Sequence, residues 1–175
     1  MTLTSTILLQ TERLYIFPLT HAQLVQYLET NKVLEQSLGL NAHPRRLSPE
    51  LVEAFEETIL AAVANLRNNY LFSTLWTVVL KDKKIMVGDL CFKGEPNDRG
   101  EVEIGYGTYN DFQGTGYMTE AVKALTDWAF QQPAIKLILA ETDENNVASH
   151  RTLQKNNFER FARQNDMLWW RLYKS

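Results

Sequence analysis

Two glycines one residue apart, Gly114 and Gly116, lie in the run DFQGTGYMTEA (111–121), where an alternating stretch gives way to helical spacing. Glycine weakens both strands and helix interiors, so a pair at this junction marks a loop whose backbone something approaches closely. A loop that feeds a helix N-terminus carries unpaired N–H groups and a partial positive charge, which suits an anion. Without β-carbons in the way, the chemistry open to these residues is to hold a phosphate or pyrophosphate in a nest of amides. Two familiar phosphate loops do not fit. The dinucleotide fingerprint G-x-G-x-x-G fails where Thr119 stands in place of the third glycine, and the Gly-Lys-Ser/Thr ending of a Walker loop is absent. A tight strand-to-helix turn without a ligand is the other reading, and the glycines alone leave both open.

The elements that position this loop follow from periodicity. Before it, EVEIGYGT (101–108) alternates, with Val102, Ile104, Tyr106 and Thr108 on one face and Glu101, Glu103, Gly105 and Gly107 on the other. After it, Met118, Ala121, Val122, Leu125, Trp128 and Ala129 recur at helical spacing until Pro133 ends the helix. IKLILAE (135–141) is an apolar run of the kind found in a strand covered on both faces. Strand, helix and strand in that order make a right-handed βαβ unit. Upstream, ILLQTERLYIF (7–17) is expected to open the sheet as a strand. Thr20 and Gln23 have capping-box spacing ahead of a helix striped by Leu24, Val25 and Leu28. Ser48-Pro49-Glu50 is expected to start a second helix, striped by Leu51, Phe55, Ile59, Ala62, Val63 and Leu66. LWTVVL (75–80) and IMVGDLCF (85–92) form a hairpin around KDKK, and GEPNDRG (94–100) is a loop. A last helix covers about 147–156 with Asn157 as a left-handed cap, and the chain closes as a hairpin turning at Gln164-Asn165-Asp166.

With 175 residues, 45% hydrophobic and 22% charged, the chain reads as one globular domain over 1–175. A net charge of −3 argues against a nucleic-acid partner, and Arg45-Arg46 is too short to change that. The single cysteine, Cys91, and three scattered histidines show no metal spacing, so no metal is expected. No leader or membrane-length apolar run is visible, which points to a cytoplasmic protein without a membrane partner.

With its neighbours, the glycine segment resembles the acetyl-coenzyme A loop of the GNAT N-acetyltransferase superfamily, Gln/Arg-x-x-Gly-x-Gly/Ala. Here it reads Gln113-Gly114-Thr115-Gly116-Tyr117-Met118, with methionine departing from the small last residue and expected to pack under the loop. TERLYIFPL (11–19), EVEIGYGTYNDFQGTGYMTEAV and DENNVASHRTLQKNNF are similar to segments of one branch, the RimJ/RimL-like ribosomal-protein N-terminal acetyltransferases. In the last segment Asn146, Ser149, Lys155 and Phe158 match and Asn157 replaces a glycine. The resemblance implies a mixed α/β (α+β) fold: a mostly antiparallel twisted sheet of about seven strands with flanking helices. Its fourth and fifth strands run parallel and splay, with the cofactor in the split. It implies acetyl-CoA as co-substrate, with Gly107, Thr108 and Tyr109 along the acetyl and pantetheine arm. Amides of Gln113, Gly114, Thr115, Gly116, Tyr117, Met118 and Thr119 would take the pyrophosphate, and Asn146 and Ser149 would reach in from the facing helix.

The implied reaction is direct acetyl transfer to a primary amine, a protein N-terminus or a small molecule. It needs a base for the ammonium, a donor for the leaving thiolate, and a strand amide near Thr108 or Tyr109 for the oxyanion. By resemblance to the branch, Ser149 is the thiol-side donor; otherwise its hydroxyl bonds its own helix. The tyrosine other family members place four residues later is Leu153 here. Glu103 and Glu141 compete as base, with Glu101 third, against a solvated surface role for each. Glu141, Asp143 and Glu144 together would favour a cationic acceptor. His150 reads as a surface residue, and Trp169, Trp170 and Tyr173 as packing or as the acceptor rim. Arg45 and Arg46 read as solvated or as part of the acceptor pocket. The oligomeric expectation is a monomer or a homodimer. Two other classes stay open. One is a non-catalytic acyl-CoA-binding or regulatory module, suggested by Leu153 and Met118. The other is a phosphate-nucleotide binder that ATP or NAD would protect and coenzyme A would not.

Overall fold

The computed structural model describes residues 7–29, 32–44, 52–53, 55–65 and 67–174. Thr11 reverses the chain near its start: its N–H donates to the Leu14 carbonyl at 3.0 Å and its hydroxyl accepts from the Leu14 N–H at 3.0 Å. The stretch 7–17, expected as one strand, is therefore two antiparallel strands, β1 (Leu9–Gln10) and β2 (Leu14–Pro18). Next come β3 (Leu75–Leu80), β4 (Ile85–Phe92), β5 (Glu101–Thr108), β6 (Leu137–Asp143), β7 (Glu159–Gln164) and β8 (Met167–Tyr173). They form one eight-stranded sheet in the order β1-β2-β3-β4-β5-β6-β8-β7. Among the described strands only β5 and β6 pair in parallel. The extra strand moves the parallel pair from the expected fourth and fifth positions to the fifth and sixth.

Helices lie on both faces. α1 (His21–Leu28) opens with the expected capping box, Thr20 accepting from the Gln23 N–H and Gln23 reaching back to the Thr20 N–H. α2 (Val33–Leu38), too short for its period to stand out, ends on Gly39 at φ 65°. A π-helical turn (Phe55–Ile59) runs into α3 (Leu60–Ala64). The expected start at Ser48-Pro49-Glu50, together with Leu51, Leu66, Arg45 and Arg46, lies outside the described residues. These elements cover one face of β2–β4, burying Phe17, Leu24, Tyr27, Leu34, Leu38, Phe55, Val79 and Met86.

The other face carries α4 (Tyr117–Phe130) and α5 (Val147–Lys155). All six residues of the expected α4 stripe are buried. Burying side chains such as Met118, Val122 and Leu125 contributes roughly 1.5–3 kcal/mol each. Trp128 extends the layer, its ring 4.7 Å from Trp76 and 5.8 Å from Phe72. α5 closes with a Schellman pair: Phe158 N–H donates to the Leu153 carbonyl (3.0 Å) and Asn157 N–H to the Gln154 carbonyl (3.1 Å). Asn157 sits at φ 61°, the left-handed position expected of it. β6 departs from expectation: Ile138, Ala140 and Thr142 are buried under the helices, whereas Leu137, Leu139 and Glu141 are only half covered. Among the described residues no helix is long and apolar enough to cross a membrane.

Candidate active site

The parallel ladder between β5 and β6 stops almost as soon as it begins. Glu101, Val102 and Glu103 pair with Leu137, Ile138 and Leu139, and no pairing follows. β5 continues along β4 to Thr108, while β6 continues along β8 to Asp143. Lys93 donates to the Glu103 carbonyl (2.9 Å) and Tyr109 to the Val87 carbonyl (3.0 Å), which fixes the alternation on β5. The N–H and C=O of Glu103, Gly105, Gly107 and Tyr109 turn toward β4, and those of Tyr106 and Thr108 toward the gap. The Tyr109 amide is thus taken by Val87, so of the two expected oxyanion donors only Thr108 faces the split.

At the mouth of the split, Gly114 and Gly116 adopt φ of 74° and 79°, the left-handed region that glycine enters without strain. Among the described residues no side chain caps α4 at Gly116, and the Tyr117 amide lies 3.5 Å from Thr115 Oγ1. A β-carbon on Gly114 or on Gly107 would meet no atom within 4 Å. The backbone is bare there, and an anion could reach it. Thr115 folds its own hydroxyl onto the Phe112 carbonyl at 2.6 Å, and Gln113 reaches Asn110 at 3.3 Å. Arg13 straps the loop from the β1–β2 corner: Nη1 donates to the Thr115 carbonyl (3.2 Å), the guanidinium stacks 4.6 Å from the Tyr117 centroid, and Nε pairs with Glu120 (2.7 Å). Burial raises the Glu120 pKa, but hydrogen bonds from Thr11 and Arg13 and the Arg13 charge outweigh it and hold the carboxyl below its ordinary value.

Across the gap, Asn146 caps α5 by accepting the Ser149 N–H at 3.1 Å. Tyr106 on β5 donates to the Ser149 carbonyl at 3.1 Å, joining the strand to the helix. Burial pushes the Tyr106 phenol well up, against a smaller opposing pull from a hydrogen bond with Ser149, so it stays a proton donor at neutral pH. Asn156, buried, donates to the Thr119 carbonyl (3.0 Å) and the Thr152 carbonyl (2.9 Å), tying α5 to the first turn of α4. On the sheet's other face, Lys93 Nζ makes an ion pair with Glu103 and lies 3.8 Å from Glu141. Both candidate bases therefore converge on one ammonium. Glu101 does not join them, because its carboxylate accepts from Asn97 at 2.8 Å.

Residues 13–159 match the model of the acetyltransferase (GNAT) domain family. The chain belongs to the GNAT acetyltransferase family. Among curated relatives, the uncharacterized N-acetyltransferase YjdG of Bacillus subtilis is 35% identical over 83 residues, 47% of this chain and 49% of that protein. YnaD of the same species is 27% identical over 45% of each chain. The chain thus matches about half the length of these relatives. Among solved structures, RimL, a ribosomal-protein α-N-acetyltransferase in complex with coenzyme A, superposes with TM-score 0.69 at 17% identity, covering 95% of this chain and 98% of that one. The ribosomal-protein-S5-alanine acetyltransferase of Vibrio fischeri gives 0.67 at 17% identity, covering 95% and 96%. At that identity the likeness is one of fold.

Leu153, in the place of the usual tyrosine acid, is fully buried and carries no proton to give. Met118 packs beneath the strand ends, its Cε 2.9 Å from where a β-carbon on Gly88 would lie. The acidic cluster at the end of β6 disperses: Asp143 accepts from the Asn145 N–H (2.7 Å) and Glu144 pairs with Arg163 (2.7 Å), leaving Glu141 at the split. His150 is half-buried, bonded to the Asp143 carbonyl at 3.0 Å beside Trp170. Trp170 is buried with its indole N–H on Thr142, while Trp169 pairs across from Glu141 and Tyr173 is exposed. Burial pushes the Cys91 thiol up to about 11, which keeps it unreactive. Sequence reasoning did not single out five neighbours of the split: Arg13, Lys93, Tyr106, Asp89 and Tyr27, whose phenol donates to Asp89 (2.6 Å) beside that of Tyr109 (2.7 Å). Only Lys93 had a local signal, since it follows directly on a strand beside the loop to Glu101.

Proposed function

We propose that this GNAT chain, as one domain, is an N-acetyltransferase that takes the acetyl group of acetyl-CoA to a primary amine, a protein N-terminus or a small molecule. The observation that carries the reading is the three-rung parallel ladder, opening into a gap with an uncapped helix at its mouth. The first-turn amides of α4, the bare Gly114, and Gly116 with the Arg13 guanidinium beside it suit a diphosphate. Gly107, Thr108 and Tyr109 border the gap where a pantetheine arm would lie, and Asn146 and Ser149 face them from α5. The protein-directed neighbours RimL and the Vibrio fischeri enzyme support a peptide N-terminus as the acceptor class.

Acetyl-CoA supplies the activated acyl group; the chain supplies position and proton transfer. Glu141 helps to hold the acceptor ammonium before reaction, and Glu103 accepts its proton to leave a neutral amine. The Thr108 N–H faces the developing oxyanion. Ser149, supported by the adjacent protonated Tyr106, gives a proton to the departing thiolate. Isothermal titration with acetyl-CoA, followed by an amine and N-terminal-peptide panel read by mass spectrometry, tests the proposal. Glu103→Gln is expected to lower kcat about 10²–10⁴-fold, the usual worth of a positioned base. Glu141→Gln is expected to raise KM. Absence of acetyl-CoA binding, or full activity in Glu103→Gln, overturns the reading. Binding without turnover on any amine returns the chain to the class of acyl-CoA-binding modules, which Leu153 in the acid's place would suit.

A further inference from the structure

Lys93 is placed differently from the other described lysines. Its arm crosses the sheet over Gly105, with Cε 3.9 Å from where a β-carbon on that glycine would lie. Nζ pairs with Glu103 and stands 3.8 Å from Glu141. Its side chain is 50% exposed, so it is not locked away. Gly105 is two residues before Gly107 on the same strand face, roughly 7 Å along the strand. A primary amine thus already occupies the position that the proposed reaction gives to the acceptor, held by the carboxylate that would deprotonate it.

We infer that Lys93 is a self-acetylation site, the chain's own amine acting as acceptor when no external one is bound. The inference rests on the proposed acetyltransfer. The Lys93 ammonium gives a proton to Glu103, and the freed nitrogen forms a bond to the acetyl carbonyl carbon. The carbon–sulfur bond breaks, its electron pair leaves with the thiolate, and the second nitrogen proton goes to that sulfur. The products are an amide on Lys93, free thiol and one proton released from Glu103. Modification removes the positive charge between Glu103 and Glu141, leaving the cluster one charge more negative and more receptive to a cationic acceptor. An external ammonium and Lys93 compete for the same carboxylates, so acceptor protects Lys93.

The test is incubation of the full chain with acetyl-CoA alone, followed by intact mass and peptide mapping over time. Lys123, 63% exposed and paired with Asp127, serves as the internal reference for uncatalysed acetylation. The expected result is one acetyl group on Lys93, acquired at a rate independent of protein concentration. Glu103→Gln should slow it about 100-fold, the mid-range contribution of a general base, with Lys123 unaffected. Lys93→Arg should abolish the product. Should Glu103→Gln not fold, suppression of Lys93 acetylation in the natural chain by a turned-over amine substitutes for it. Equal rates at Lys93 and Lys123, or no suppression by amine, overturn the inference. A chain that turns over external amines yet leaves Lys93 unmodified overturns this inference alone. A chain that fails to bind acetyl-CoA in the titration overturns the proposed function and this inference with it.

Discussion

Two glycines of the split have different physical reasons for being there, and substitution separates them. Gly116 is required by its backbone: at φ 79° an alanine costs roughly 1–2 kcal/mol. Gly107 has an unstrained φ and open space over its α-carbon, so Gly107→Ala should leave the thermal midpoint unchanged while cutting acetyl transfer, because the methyl enters the proposed acyl path. Loss of stability in Gly107→Ala, or undiminished turnover, would place the acyl group elsewhere. Gly116→Ala should instead lower the midpoint. Residue by residue, legibility followed how local the signal was. The loop glycines, Asn157 and the Thr20–Gln23 cap showed in the sequence because each acts within a few positions. Tyr106 did not: alternation places it among the apolar residues of β5, and its hydroxyl finds its partner on a helix 43 positions later.

Elements were legible where a period had room to repeat. α4 holds its stripe through fourteen residues, whereas α2, with six, gives the period too little length. The break between β1 and β2 was hidden because Thr11, Glu12 and Arg13 interrupt alternation no more than any polar face would, and only the Thr11 hydrogen bonds to Leu14 reveal the reversal. β6 looked doubly covered because its sequence is apolar on both faces, yet one of those faces is the half-open floor carrying Glu141. The joint between α4 and α5 depends on one buried amide. Asn156→Ala removes the side-chain bonds to the Thr119 and Thr152 carbonyls and should cost about 0.5–1.5 kcal/mol per bond by denaturant titration. Acetyl-CoA affinity should fall with it, since Thr119 belongs to the first turn of α4. Unchanged affinity in a folded Asn156→Ala protein would show that the two walls do not need fastening.

At the scale of the molecule, the site depends on contacts that close large loops. Glu120 gathers Thr11 and Arg13 onto the start of α4, and its carboxyl is held below the ordinary glutamate value of 4.5. A depressed folded pKa contributes stability that is present above the ordinary value and lost as pH falls through the folded one. Glu120→Gln should therefore lower stability at neutral pH by about 1 kcal/mol or less for so exposed a pair, seen as a lower thermal midpoint. The two unfolding curves should converge as pH drops below 4.5. A gap that stayed constant into acid would mean that charge is not what Glu120 contributes. None of this was legible in the sequence, because Arg13 and Thr115 lie 102 positions apart. That separation has a temporal corollary. During synthesis the corner bearing Arg13 is made long before its partners, and must wait, unpaired, until the second half of the chain is available. Contacts this distant along the chain come late and slowly, so the loop proposed to face the diphosphate should be among the last parts of the molecule to acquire its working shape.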